Sequence, residues 1–262
     1  MKETYGWSVN FNDSQKYIDI CQQIVKNDEV FSNFKCNSEY NSILEHVSFE
    51  LGQEYFGYIK NVGEKIYNEN YEKFIENDII GNPKKYFYDN KKISPTTLRY
   101  IKNTFDLSSI CEQEKVCKIV EVGGGYGGLC KTLSVLCDFD QYISVDLPET
   151  IELQKKYLKN FSELYSKIKF IPCNQLNDIF DVDIFISNYC LSELDLGNQL
   201  NYYDKVIKNS KIVYITYNFM VENCKNNYNT IILKLEEDGF EVNTSNYHDY
   251  GCSTNKIIVA KK

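Results

Sequence analysis

Glycine is concentrated in one short stretch of this chain. Five of the 13 glycines fall within Glu121-Val122-Gly123-Gly124-Gly125-Tyr126-Gly127-Gly128, which follows an apolar run and precedes a helical pattern. Glycine permits a sharp turn and lets a ligand approach the backbone closely. The first turn of the following helix presents free N–H groups and a positive dipole end, which suit a carboxylate or a phosphate. The segment therefore predicts a ligand-binding loop.

Two classes of cofactor are compatible with this loop. Gly123, Gly125 and Gly128 satisfy the G-x-G-x-x-G pattern of nicotinamide and flavin enzymes, and Asp146 lies near the distance expected for a ribose ligand. Glu121, two residues before the first glycine, instead resembles the E/D-x-G-x-G-x-G signature of S-adenosylmethionine enzymes. A carboxylate there can hold the methionine ammonium, a group that NAD lacks. The loop therefore favours S-adenosyl-L-methionine, with NAD(P) as the alternative.

Further residues complete the predicted cofactor site. Asp146 is expected to accept hydrogen bonds from the ribose hydroxyls. It lies in Val145-Asp146-Leu147-Pro148-Glu149, which resembles a turn of many O-methyltransferases. Asn174 stands where such enzymes contact adenine, or is only a turn former, and Asn188 ends a strand near the sulfonium. The predicted cofactor-binding residues are Glu121, Gly123, Gly125, Tyr126, Gly127, Asp146, Leu147, Asn174 and Asn188.

Three side chains are candidate general bases, which a sugar hydroxyl needs and an anionic phosphate oxygen does not. His46 is predicted to lie on a helix, with Glu45 beside it and Glu50 four residues on, a pairing that would raise its pKa. A packing or surface role is its alternative. His248 follows the sixth predicted strand of the sheet, on the active-site side. Glu193 is the carboxylate candidate, or else a cap of the next helix.

Arg99 is the one arginine among the 29 Lys and Arg residues. Lysine satisfies a simple need for positive charge, so a retained arginine indicates a planar, bidentate contact to a carboxylate or phosphate of the acceptor. A structural ion pair with a nearby acid is the alternative. Tyr189 and Tyr250 are the other predicted substrate-binding residues. With two His and no Cys-x-x-Cys pair, no metal site is predicted.

The N-terminal part of the chain has a helical pattern. Apolar residues recur at three- and four-residue steps between residues 14 and 77. Gly81-Asn82-Pro83 breaks the pattern, Lys84 to Pro95 reads as an irregular connection, and Pro95 opens another helix. Residues 1–106 are therefore predicted to be a helical cap and connector, and residues 107–262 a catalytic domain.

The catalytic domain alternates short apolar runs with helical segments, which predicts βαβ units and a mostly parallel sheet. The last two strands have no helix between them and must form an antiparallel hairpin. This predicts an α/β, Rossmann-like sheet of seven strands. The predicted strands are 116–122, 141–145, 168–172, 183–187, 211–216, 240–244 and 256–260.

Bulk properties exclude several classes of protein. A net charge of −8 argues against a nucleic-acid binder. No apolar run of a membrane span's length occurs, and the N-terminus lacks a secretory signal, so a cytoplasmic protein is expected. The ten cysteines are then expected to be free, mostly buried thiols. The oligomeric state stays open.

Over most of its length the sequence resembles a bacterial family of sugar O-methyltransferases, often encoded with capsule or surface-glycan genes. The resemblance implies a class I methyltransferase fold and methyl transfer to a sugar or to a small capsule modifier such as a phosphoramidate. A nicotinamide-linked oxidoreductase and a non-catalytic partner of the same fold are the alternatives. The matching segments are Glu45-His46-Val47, Gly81-Asn82-Pro83, Ser94, Leu98-Arg99-Tyr100, the Glu121 loop, Ser187-Asn188-Tyr189 and Ser192-Glu193-Leu194.

Overall fold

The computed structural model describes residues 11–111, 116–219, 224–246 and 255–262. Its N-terminal part is helical, as predicted, and the long fourth helix bends at Gly63, whose φ and ψ are not helical. Asn27, Asn37 and Ser48 each cap the helix that follows by accepting hydrogen bonds from its first backbone N–H groups. The helices are α1 Phe11–Lys26, α2 Asp28–Ser32, α3 Ser38–Asn41 and α4 Phe49–Ile75.

The connection between the helical region and the sheet is more regular than predicted. Tyr86–Tyr88 (β1) and Lys91–Ile93 (β2) form an antiparallel hairpin, where an irregular connection was expected. Strands of three residues are too short to show an alternating pattern. The following helix begins at Pro95, as predicted, and continues to Cys111 (α5). It therefore crosses the predicted domain boundary between residues 106 and 107.

A seven-stranded sheet forms the rest of the molecule. Five strands are parallel in the order β5-β4-β3-β6-β7, and β9 pairs antiparallel with both β7 and β8. The predicted Rossmann-like methyltransferase sheet with its closing antiparallel hairpin is thus confirmed. The strands are β3 Lys118–Val122, β4 Gln141–Asp146, β5 Ile168–Pro172, β6 Val182–Asn188, β7 Ser210–Tyr217, β8 Glu241–Asn246 and β9 Lys256–Lys261.

Helices cover both faces of the sheet. Ile119 of β3 belongs to a core shared with the cap and with α5, α6 and α7, whereas its neighbour Val120 belongs to a core on the opposite face. Alternate residues of a strand point to opposite faces, so every central strand contributes to both cores. The remaining helices are α6 Gly128–Leu133, α7 Pro148–Leu158, α8 Ser162–Ser166, α9 Cys190–Glu193, α10 Leu196–Lys205 and α11 Cys224–Glu237.

The cap is joined to the sheet through α7. The Lys156 ammonium on α7 donates to the Val25 carbonyl at the end of α1, at 2.9 Å, and pairs with Asp28 at 2.6 Å. A cation at the C-terminus of a helix satisfies carbonyls that the helix leaves free. Together with the shared core, this contact holds α1 of the cap against α7.

Two bulk predictions bear on the described part of the chain. In that part no helix is both long and apolar enough to cross a membrane. The eight cysteines whose side chains are described are thiols outside any disulfide: Cys21, Cys130 and Cys137 are buried, Cys36 is exposed, and the others lie between these extremes.

Candidate cofactor and acceptor site

The glycine loop turns between β3 and α6, as the sequence predicted. The Gly123 N–H donates to the Val145 carbonyl of β4 at 3.0 Å, and the Gly127 N–H donates to Gly124 at 3.0 Å. Gly123, Gly125 and Gly127 have φ of 79°, 56° and 94°. L side chains rarely adopt these angles, so the backbone requires glycine there.

Two neighbouring segments pack directly on the loop. A Cβ on Gly123 would overlap the side chain of Cys190, the first residue of α9. A Cβ on Gly125 would lie 2.9 Å from Leu44, in the turn that follows α3. The loop is therefore enclosed between the end of β6 on one side and the cap on the other.

Asp146 lies at the carboxyl end of β4 and faces the loop. One carboxylate oxygen accepts from the Leu147 N–H at 2.8 Å; the other accepts from the Gly125 N–H and from the Gln154 amide, both at 3.2 Å. Burial raises the pKa of Asp146 to about 7, although these backbone hydrogen bonds oppose the shift. Asp146 thus touches the loop where a ribose ligand was predicted.

Glu121 lies on β3 on the other side of the loop and is 3% exposed. Its carboxylate accepts a hydrogen bond from the Tyr142 hydroxyl at 2.8 Å, and a Cβ on Gly124 would crowd it. Burial raises the pKa of Glu121 to about 7. Within the described residues, no Lys or Arg is among the main causes of the pKa shift of either Glu121 or Asp146. We refer to these two groups as the loop carboxyls.

The remaining predicted cofactor residues differ in placement. Leu147 is buried and contributes its backbone N–H to Asp146. Tyr126 is fully buried and its side chain points into the cap, so only its backbone lies along the loop. Asn174 is exposed in a 3₁₀ turn directly after β5. The structure therefore brings the loop carboxyls and glycines together and leaves Asn174 at the surface.

A cluster of four buried residues joins the cap to the loop; sequence reasoning missed it apart from Tyr126. The Asn77 amide donates to the Tyr126 hydroxyl at 3.0 Å and accepts from the Tyr157 hydroxyl at 2.5 Å. The Lys35 ammonium donates to the Asn77 carbonyl at 2.5 Å and lies 4.2 Å from the centre of the Tyr126 ring. Burial lowers the pKa of Lys35 to about 8. We call Lys35, Asn77, Tyr126 and Tyr157 the cap cluster.

Asn188 and Tyr189 close β6 at the same edge of the sheet. The Asn188 Oδ1 accepts from the Thr216 hydroxyl of β7 at 2.7 Å and from the Asn103 amide of α5 at 3.5 Å. Tyr189 has a φ of 69°, which is rare for a residue with a side chain, and its N–H donates to the Thr216 carbonyl at 2.8 Å. Strained backbone of this kind is concentrated at functional sites. This edge lies at the point where strand order reverses, between β3 and β6, which is the ligand crevice of open α/β sheets.

Glu193 ends the short helix α9 beyond this turn. Its carboxylate accepts from the Asn218 amide at 2.9 Å, and burial raises its pKa. Asn218 directly follows β7 and is 3% exposed. Sequence reasoning missed Asn218, although its place after a central strand is the signal that could have found it.

Arg99 lies on α5 and is 8% exposed. It donates to the Leu44 carbonyl at 2.9 Å, and its guanidinium carbon lies 5.8 Å from the centre of the Tyr189 ring. It also acts on the buried Glu45 carboxyl, lowering a pKa that burial raises. Arg99 therefore connects the cap turn over Gly125 with the strained turn after β6.

The prediction that His46 lies on a helix is wrong. Helix α3 ends at Asn41 and α4 begins only at Phe49, because the Ser48 hydroxyl accepts from the Leu51 N–H at 3.2 Å and caps α4. His46 is exposed in the turn between them and lines a cavity of about 200 Å³ in the cap. Glu50 is therefore not its helical neighbour.

The other predicted acceptor residues, His248 and Tyr250, lie outside the described residues. β8 pairs antiparallel with β9, as the predicted closing hairpin requires. Since β9 is itself antiparallel to β7, β8 still runs in the direction of the parallel strands and ends at the site edge. Within the described ranges, no group of three or more His, Cys, Asp or Glu side chains is placed to hold a metal ion.

Comparison with known proteins gives structural neighbours only. No protein-family model matches the chain, and no curated protein matches it. Among solved structures, the methyltransferase domain of bacterial CtHen1 is 15% identical with a TM-score of 0.48, covering 61% of this chain and 97% of that one.

Two other neighbours are similarly distant. TrmK of M. capricolum, solved with S-adenosylhomocysteine, is 13% identical with a TM-score of 0.44, covering 61% of this chain and 67% of that one. An O-methyltransferase family protein from Burkholderia thailandensis is 13% identical with a TM-score of 0.46, covering 62% and 57% of the two chains. These neighbours are methyltransferases of several kinds. Likeness at this level carries no argument about a substrate or about individual residues.

Proposed function

We propose that this chain is an S-adenosylmethionine-dependent O-methyltransferase. The observation that supports it most is the position of the loop carboxyls, Glu121 and Asp146, on either side of a glycine loop, where no described Lys or Arg is among the main causes that shift their pKa. A bound S-adenosylmethionine brings an ammonium for Glu121 and ribose hydroxyls for Asp146. NAD and NADP bring a pyrophosphate and no ammonium, so a buried carboxylate at Glu121 disfavours them.

The cofactor supplies a methyl group on a sulfonium, and the acceptor must approach in line with the breaking bond. Methyl transfer of this type depends mainly on positioning. The turn after β6, with Tyr189, and the face of α5 that carries Arg99 and Asn103 border the crevice where such an acceptor would lie. The cap excludes water from this side of the site, because Leu44 of the cap packs over Gly125 of the glycine loop.

For a hydroxyl acceptor, we assign the general base to Glu193. Its carboxyl lies beyond the end of β6, is largely buried, and has a raised pKa, which makes it a stronger base near neutral pH. His46 is exposed on the cap. It does not share a helix with Glu50, the neighbour that was expected to raise its pKa. His248 stays a prediction.

The proposed acceptor is a sugar, or a small phosphorylated or phosphoramidate precursor of a bacterial surface glycan. Two observations support it: the resemblance of several sequence segments to sugar O-methyltransferases, and the placement of the one arginine beside Tyr189. An anionic acceptor group would meet the guanidinium of Arg99, which already donates to Leu44 with one of its nitrogens.

A thermal-shift comparison tests the proposal. A ligand that binds the folded state raises the free energy of unfolding by about 2.7 kcal/mol at one hundred times its dissociation constant. S-adenosylhomocysteine is expected to raise the melting temperature by about 5–10 °C, whereas NAD and NADP leave it unchanged. A shift with NAD or NADP and none with S-adenosylhomocysteine would reject the methyltransferase assignment.

A further inference from the structure

Asn218 stands one residue past the end of β7, beside the acceptor end of the site. The neighbouring strand β6 ends at Asn188, and the two strands are paired up to Asn188 and Thr216. Asn218 is therefore at the same carboxyl edge as the glycine loop. Its side chain is 3% exposed, and its amide nitrogen donates to the Glu193 Oε1 at 2.9 Å.

A second contact ties the same two segments together. The Asn218 backbone N–H donates to the Ser192 hydroxyl at 3.1 Å, and that hydroxyl donates to the Tyr189 carbonyl at 2.5 Å. Asn218 thus holds two consecutive residues of α9 and, through Ser192, the strained turn at Tyr189. One of these bonds therefore reaches the Glu193 carboxylate itself, and the other fixes the residue before it.

The chemistry of an amide suits this task. A Lys or Arg at position 218 would pair with Glu193 and lower its pKa strongly, which weakens it as a base. A neutral amide donor orients the carboxylate and leaves it a base, since one hydrogen bond shifts its pKa much less than a full charge does. Burial raises the pKa of Glu193, and the Asn218 bond acts in the opposite direction.

Glu193 is also within electrostatic reach of the cofactor loop. Cys190, at the start of the same helix, packs against Gly123, and the pKa of its thiol is raised by desolvation first and then by the charges of Asp146 and Glu193. The elements packed against α9 carry further titratable groups, which are Asp183 on β6, Lys211, Tyr214 and Tyr217 on β7, and Lys225, Tyr228, Lys234, Glu236 and Glu237 on α11. The Tyr217 hydroxyl donates to Gln199 at 3.3 Å.

We infer that Asn218 is a positioning residue, which orients the Glu193 carboxylate toward the acceptor hydroxyl. The inference rests on the proposed function, because it takes Glu193 as the general base. It adds to that function a residue directly after β7. The side-chain amide of this residue sets the direction and the basicity of the Glu193 carboxylate.

The test is a direct titration of the Glu193 carboxyl. The full-length protein is labelled with 13C at the glutamate carboxyls, saturated with S-adenosylhomocysteine, and followed by NMR across the pH range; Glu193→Gln assigns the signal. Asn218→Ala is expected to raise the Glu193 midpoint by about one pH unit, because a hydrogen bond to the charged form is lost. The isosteric Asn218→Asp adds a like charge and is expected to raise it further.

Asn198→Ala is the matched control. It removes the same kind of amide–carboxylate pair on α10, where the Asn198 amide donates to Asp195 at 2.8 Å, without touching Glu193. An unchanged Glu193 midpoint in both Asn218 variants, or an equal shift in Asn198→Ala, would overturn the inference. If Asn218→Ala does not fold, Asn218→Asp decides alone. If S-adenosylhomocysteine fails to bind, the proposed function fails, whereas the titration is still readable in the free protein.

Discussion

The cap cluster reaches the glycine segment through Tyr126, whereas the loop carboxyls lie on either side of that segment, and both groups contain titratable side chains shielded from solvent. In the cap cluster, the Asn77 amide and carbonyl bind Lys35, Tyr126 and Tyr157. The loop carboxyls accept hydrogen bonds, but in the described part of the chain no cation is among the main causes of their pKa shifts, and burial raises the pKa of each to about 7. Buried polar groups that are fully paired within the chain stabilise a fold, whereas uncompensated charge at a crevice is typical of a binding site.

The comparison separates two consequences of substitution. Changes in the cap cluster should lower the free energy of unfolding, because they leave buried groups without partners. Changes in the loop carboxyls should lower ligand affinity and alter its pH dependence. The first region acts on the second only by holding the loop in place.

The largest effect is expected for Asn77→Ala in the cap cluster. The substitution strips partners from the buried hydroxyls of Tyr126 and Tyr157 and from Thr97, whose hydroxyl accepts from Asn77 at 2.6 Å. The free energy of unfolding should fall by about 3 kcal/mol or more, measured by urea denaturation. Asn70→Ala, which removes one amide bond to the Ile66 carbonyl of α4, is the control and should cost well under 1 kcal/mol. Equal losses in the two variants would remove the distinction.

Asp146→Ala tests the other region. It should weaken binding of S-adenosylhomocysteine by about 1–3 kcal/mol, because the ribose hydroxyls lose charged acceptors. Calorimetry measures the affinity, and Asp138→Ala, which removes an exposed carboxylate paired with Lys167, serves as the control. An affinity that Asp146→Ala leaves unchanged would mean that the ribose assignment is wrong.

Arg99→Lys tests whether Arg99 binds the acceptor or only stabilises the cap. If the acceptor is anionic, the variant should lose at least about tenfold in kcat/KM, with little change in cofactor affinity, since the bidentate fork is lost. If Arg99 serves only to hold the Leu44 carbonyl, the free energy of unfolding falls and kcat/KM stays as it was. A variant that is fully active would contradict an anionic acceptor.

Glu121→Gln tests the loop carboxyls through the pH dependence of stability rather than through ligand affinity. The folded pKa of Glu121 is raised above the value of an unfolded glutamate, so the folded state binds more protons between about pH 4.5 and 7. The free energy of unfolding should therefore fall as the pH rises through that window, and Glu121→Gln should make the fall shallower. Denaturation at pH 5 and pH 7.5 measures both slopes. Parallel slopes in the two proteins would show that Glu121 is already ionised in the fold.

The sequence predicts the loop carboxyls better than the cap cluster for a physical reason. Glu121 and Asp146 end neighbouring parallel strands, and the carboxyl ends of such strands meet at one edge whatever the rest of the fold does. The apolar runs and the glycine segment locate those strands directly. The arrangement of the sheet, including its closing hairpin, follows from the same local pattern.

Contacts between distant segments leave no local pattern. Asn77 binds Tyr157 across 80 residues of chain, and Asn218, directly after β7, binds Glu193 at the end of α9, so neither pair was predicted. The mistake at His46 is different. The apolar spacing of Ile43, Val47 and Leu51 suits one helix, but the Ser48 cap starts a new one.

The most direct test of the central claim is calorimetry of S-adenosylhomocysteine binding across pH, in buffers of different ionisation enthalpy. The loop carboxyls are protonated below about pH 7 in the free protein and must ionise to hold the ammonium and the ribose. The account predicts that affinity rises at least about tenfold from pH 5.5 to 7.5 and that binding releases protons. Binding that neither releases protons nor changes with pH, or an absence of binding, would contradict it.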